Sequence, residues 1–134
     1  MKKTLEEMLE MPYWIIDILP KQVPKDSPGQ FFAVEEYFLK EKKLADIKQK
    51  HINVILKLNC YRRISLDGEE VNPSPEHVAE EVLTRYLCIF VDDSMILSEP
   101  DDTHLTLYNP DENLLKLIEP IAVSEGLFVW KSGI

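Results

Sequence analysis

The sequence predicts an α+β fold: a single domain over residues 1–134, with a mixed, mostly antiparallel sheet and helices packed on it. Three observations point there. Helix-capping patterns recur along the chain at Thr4, Ser27, Ser74 and Asn109. Three short apolar segments, 87–91, 94–98 and 104–108, follow one another with only turn residues between them. Such a run makes a three-stranded meander and argues against a doubly wound parallel sheet. Finally, 134 residues that are 45% apolar and 29% charged have the size and composition of one globular core.

The elements follow in order. Thr4-Leu5-Glu6-Glu7 is a capping box, and Leu5, Met8 and Leu9 share a helical face that Pro12 ends. Residues 13–19 (YWIIDIL) are bulky and β-branched, which predicts a strand closed by Pro20. Both of its faces are largely apolar, so it is expected to be covered on both sides. A proline-stiffened loop leads to Ser27-Pro28-Gly29-Gln30, read as the cap of a second helix with Pro28 at its first position. Phe31, Val34 and Phe38 mark that helix's inner face. It is expected to run on through residues 40–50, where Lys42 with Asp46 and Asp46 with Lys50 fall at i,i+4 spacing.

From Ile52 the apolar residues fall on every second position: Ile52, Val54, Leu56, Leu58, Cys60, Ile64 and Leu66, with Arg62 the one breach. This alternation predicts a long strand that bends near Asn59–Arg63 and turns at Asp67-Gly68. Ser74 caps a third helix with Pro75 at its first position, turning Val78, Val82 and Leu83 inward with Tyr86 following. After the meander, Asn109-Pro110-Asp111-Glu112 repeats the capping pattern. It opens a last helix with a stripe of Leu114, Leu117, Ile118 and Ile121, which Pro120 must end or kink. Gly126 suits a helix stop, and residues 127–130 (LFVW) make a final strand.

Charge is the most unusual feature. The net charge is −9, yet residues 64–115 hold thirteen acids against Arg85 alone, and residues 21–63 carry a basic excess. An acidic side of this kind steers basic partners. It disfavours nucleic acid, because the lysines at 40, 42, 43, 48 and 50 are interrupted by acids. The first residues lack the apolar stretch of a signal peptide and no run is long enough to span a bilayer, so a soluble, cytoplasmic protein with no membrane partner is expected. Cys60 and Cys88 then read as small buried hydrophobes rather than a disulfide.

Candidate sites are few. Asp92 and Asp93 are either a carboxylate pair or a hairpin turn. The next acids, Asp101 and Asp102, lie one strand further on, roughly 15 Å away. That is too far to share a metal whose ligands sit at ~2–2.6 Å. His51, His77 and His104 show no metal-ligand spacing, and no HExxH, CxxC, GxSxG or glycine-rich phosphate loop is present. No cofactor is expected. Asp17, inside an apolar strand, and Arg62, the breach in the long strand, each need a partner if buried; a pair between them is one expectation. The other places Tyr61, Arg62 and Arg63 at a bend as an anion or partner contact. The leading reading is a small acidic protein-interaction domain, either inhibitor or immunity-type or homo-oligomeric. Its binding residues would be drawn from Tyr61, Arg62, Arg63, Glu99, Asp101 and Asp102. The alternative is a small anionic-ligand-binding domain or enzyme using Tyr61, Arg62 and Arg63, and a metal-dependent hydrolase at Asp92, Asp93 or His77 ranks third. The missing catalytic spacings lean against an enzyme without deciding the matter.

Overall fold

A computed structural model describes residues 4–132. In chain order the elements are α1 (Leu5–Leu9), β1 (Tyr13–Asp17), α2 (Phe31–Phe38), α3 (Glu41–Asn59), β2 (Ser65–Leu66), β3 (Glu70–Val71), α4 (Pro75–Thr84), β4 (Leu87–Val91), β5 (Ser94–Ser98), β6 (Leu105–Tyr108), α5 (Glu112–Ser124) and β7 (Phe128–Lys131). The strands form one seven-stranded sheet in the order β3-β2-β4-β5-β6-β1-β7. Every pairing is antiparallel. The expected α+β class holds, and β4-β5-β6 is the expected meander.

The pleat sorts the strand residues into two faces. One face carries Ile16, Leu87, Ile89, Val91, Ile96, Leu105 and Leu107, all fully buried. They form one cluster with Ile52, Val54, Ile55 and Leu58 of α3, Val78 and Val82 of α4, and Leu114, Ile118 and Ala122 of α5. The other face carries Tyr13, Ile15, Asp17, Leu97, Thr106, Tyr108 and Trp130, and looks toward α2 and the 18–23 loop. Strand β1 is covered on its core side but only partly on the other, where Ile15 is buried and Tyr13 is exposed.

The main departure lies at α3. Residues 52–59, expected as strand, are the second half of a 19-residue helix. The buried positions Ile47, Lys48, His51, Ile52, Ile55 and Leu58 follow helical spacing. The alternation was misleading because α3 lies between α4 and α5 under the sheet, so its apolar stripe is wide enough to include Val54 as well. Only Ser65–Leu66 of the expected strand is a strand, and the Asp67-Gly68 turn returns it to β3, with φ 54° at Asp67 and 78° at Gly68. The helix from residue 31 also does not run on unbroken: it ends at Phe38, and α3 starts afresh after Lys40.

The caps divide in the same way. Thr4 forms its complete capping box, and Ser74 accepts from the His77 amide with Pro75 at the first helical position. Ser27, however, caps no helix. Its hydroxyl accepts from the Gly29 amide at 3.4 Å, and α2 starts after Gln30 with no side-chain cap. For α5 the cap is Asp111, accepting from Leu114 at 2.7 Å, rather than Asn109. Asn109 takes a left-handed backbone (φ 55°) and donates to the Asp93 carbonyl instead. Pro120 lies within α5, which continues to Ser124. There Gly126 (φ 76°) donates to Val123 while Leu127 donates to Ala122, a Schellman end. Five apolar side chains read as inward are exposed: Leu5, Leu9, Val34, Leu83 and Tyr86. Cys60 is exposed and Cys88 half-buried, both as free thiols.

Candidate functional site

Between the sheet and α2 lies a cavity of about 740 Å³. Its floor is the second sheet face: Ile15 and Asp17 of β1, Leu97 of β5, Thr106 of β6 and Trp130 of β7. Its roof is the inner side of α2, with Phe31, Val34 and Phe38. The Trp130 indole N–H donates to the Leu19 carbonyl at 3.0 Å and ties the 18–23 loop to the cavity's side. Tyr13 and Tyr108 stack at 5.5 Å at the far end.

The inner end is polar, and the β5–β6 loop builds it. Glu99, Asp102, Thr103 and His104 line the cavity together with Asp17 at the adjacent end of β1. Asp102 is the hub. Its Oδ1 accepts from the Thr103 amide at 2.7 Å and meets His104 Nδ1 at 2.8 Å. Burial opposes ionisation of Asp102, but hydrogen bonds from His104 and Glu99 and the imidazolium charge overcome it and hold the carboxyl at about 2. Glu99, hydrogen-bonded to Asp102 and partly desolvated, is correspondingly pushed up. His104 is raised: burial works against its charge, but the hydrogen bond and charge of Asp102, with Asp17 and Glu99 nearby, prevail. Asp17 is raised by burial, which the Ile18 amide at 2.7 Å only partly offsets.

Two polar side chains of α3 are buried behind this loop, and one of them, Lys48, bonds it. Lys48 is only 2% exposed, and its ammonium donates to the Glu99 carbonyl at 2.8 Å and lies 3.5 Å from the Ser98 hydroxyl. Burial lowers it to about 8 despite the neighbouring acids. His51, fully buried one turn later, has neither ring nitrogen within hydrogen-bond reach of a described group. Burial first, then the Lys48 charge, push it down to about 3, and the Thr103 backbone offsets only a little.

The structure separates the residues that the sequence singled out. Glu99, Asp101 and Asp102 sit at one end of β5, while Asp92 and Asp93 form the tight turn at the other. Arg62 lies at that second end, its guanidinium 2.8 Å from Asp92. The expected Asp17–Arg62 pair does not form, since the two residues belong to opposite ends of the sheet. Tyr61 and Arg63 are exposed beside Arg62, whose charge is already engaged. His77 pairs with Glu70 at 2.9 Å, and no group of three metal-ligating side chains gathers among the described residues. No helix among those residues is long and apolar enough to cross a membrane.

Lys48 entered the sequence analysis only as a surface charge, and His51 and His104 only as histidines without metal-ligand spacing; none was placed at this site. The signal for the first two was present: Lys48 and His51 interrupt an apolar helical stripe at i,i+3, visible only once 41–59 is read as helix. For His104 the signal was weaker, an acid two residues before it in a loop. Comparison of the chain with protein-family models, with curated proteins and with solved structures found no match to any of them.

Proposed function

We propose that this chain is an acidic protein-interaction domain that takes a basic protein partner. One observation carries the reading: the topology gathers acids distant in sequence at one end of the sheet. Leu66 pairs with Ile89 and Leu87 with Ser98, so the β2–β3 turn and the β5–β6 loop emerge at the same end. That end holds Asp67, Glu69, Glu99, Asp101 and Asp102. Its cations are committed: Arg85 to Asp67 at 2.6 Å and Glu81 at 3.0 Å, Lys48 to the loop backbone, His104 to Asp102. Glu69 and Asp101 are exposed and make no salt bridge with any described residue. Uncommitted exposed carboxylates raise association rates with a basic surface and lose that advantage as salt screens them. Of the residues singled out from sequence, Asp101 carries the exposed charge, and Glu99 and Asp102 shape the loop that presents it.

The test is capture from extract of the native host by the immobilised chain, at low and high salt, with identification by mass spectrometry. A basic protein retained at low salt, released as salt rises, and no longer retained by Glu69→Gln/Asp101→Asn is the expected result. Retention of the same protein by the double variant at every salt concentration would overturn the reading.

A further inference from the structure

We propose that the cavity between the sheet and α2 is a binding site for a small organic cation, an amine carried on an aromatic or aliphatic body. The shape sets the class of ligand first. About 740 Å³ lies within the ~300–1,000 Å³ usual for sites that enclose a small molecule. The walls sort into two zones. Ile15, Leu97, Phe31, Val34, Phe38 and Trp130 offer apolar and aromatic surface along most of its length. The inner end offers carboxyl groups. A ligand that satisfies both zones is amphipathic, with its polar group at one tip.

The charge of that tip follows from what is already paired. Asp102 is committed to His104 at 2.8 Å. Lys48 lies behind the loop, its ammonium held by the Glu99 carbonyl. Asp17 borders the cavity, makes no salt bridge with a described residue, and accepts the Ile18 amide through one oxygen. Lys21 lines the cavity, but no ion pair joins it to Asp17. An anionic tip would meet three carboxyl groups, Asp17, Glu99 and Asp102, with the exposed Lys21 and the committed His104 as the cations of the lining. A cationic tip would give Asp17 a direct ion pair, which it lacks among the described residues; the His104 charge acts on it only from a distance and is engaged by Asp102. The upward displacement of Asp17 is what a half-buried carboxyl without such a partner shows. Trp130 and the phenylalanines of α2 add faces on which a cation or an aromatic ring rests favourably. This inference is independent of the partner reading: it uses Asp17 and the cavity walls, not Glu69 or Asp101.

The test is isothermal titration of the intact chain with tryptamine and phenethylamine, set against tryptophol and indole-3-propionate. The last two keep the indole and its arm but carry a neutral or an anionic tip. The expected order is amine over alcohol, with no binding of the acid. Asp17→Asn is expected to weaken the amines by about tenfold or more, the loss of one charge-assisted contact, and to leave the alcohol unchanged. Leu97→Trp narrows the floor without touching a carboxyl and is expected to abolish all binding, so it decides the matter if Asp17→Asn does not fold. No binding of either amine, equal binding of amine and alcohol, or wild-type affinity in Leu97→Trp would each overturn the proposal.

Discussion

His51 shows how a single buried side chain works against this fold in acid. Its imidazole is buried without a hydrogen-bond partner and stays neutral down to about pH 3, against an ordinary value of 6.5. The folded-state value is the lower one, so between these limits the unfolded chain takes up a proton that the folded chain refuses. Stability therefore falls as pH falls through that window. Its neighbours act differently. Asp102, held at about 2, contributes stability above its ordinary 3.8 that is lost only as pH falls toward 2. His104, raised, contributes below 6.5 and loses that contribution as pH rises through its folded value, while Asp17 and Glu99, raised, favour folding as acid is added. His51→Leu removes one term and leaves the rest. Relative to wild type, the variant is expected to gain about 2–3 kcal/mol between about pH 6.5 and pH 4. Urea unfolding at the two pH values measures it, and parallel pH profiles for the two proteins would discard this account.

Helix α3 separates what the sequence showed from what it hid. Read by twos, Ile52, Val54, Leu56 and Leu58 line one face; read by helical turns, Ile55 replaces Leu56. The structure buries Ile55 completely and leaves Leu56 only partly buried at the edge of the core. Ile55→Ala is therefore expected to cost about 2–4 kcal/mol and Leu56→Ala about half of that or less. The reverse order in thermal or urea unfolding would restore the strand. The meander was legible because its strands are short apolar runs, with β4 and β6 alternating in burial, and its first turn carries an aspartate that tolerates a left-handed backbone, Asp92 at φ 52°. Helix α3 was not, because its apolar stripe is wide enough for Ile52, Val54, Leu56 and Leu58 to alternate by twos, although Asp46, Gln49, Asn53 and Lys57 keep a polar stripe at helical spacing. The same concealment reached the site. Asp17 stood out as a charge within an apolar strand, but Lys48, which bonds the Glu99 carbonyl, and the buried His51 were visible as an inward pair only on the correct helix. Nor could local pattern pair Asp17 with the β5–β6 loop, since that contact depends on β1 lying beside β6, some ninety residues away in sequence.

On the scale of the molecule, the acidic end of the sheet should act against folding as well as for association. The β2–β3 turn and the β5–β6 loop bring Asp67, Glu69, Glu99, Asp101 and Asp102 together only in the folded chain, so their repulsion is a folded-state cost. Part of it is offset locally: Arg85 lies 2.6 Å from Asp67, and His104 lies 2.8 Å from Asp102. Glu69 and Asp101 remain exposed and make no salt bridge with a described residue, and their mutual interaction is screened over about 10 Å at ~0.1 M salt. Two consequences are measurable together. Wild-type Tm is expected to rise with sodium chloride from about 0.02 M to ~0.5 M, because screening relieves repulsion between exposed charges more than it weakens the partly buried pairs. Glu69→Gln/Asp101→Asn is expected to melt higher than wild type at the low-salt end, with the difference closing at the high-salt end. If these residues also carry recognition of a basic partner, the variant that gains stability loses capture. A surface kept for binding at the expense of stability gives that opposed pair of changes. A variant that lost both stability and capture would instead make Glu69 and Asp101 structural residues, and the acidic end a consequence of the fold rather than its purpose.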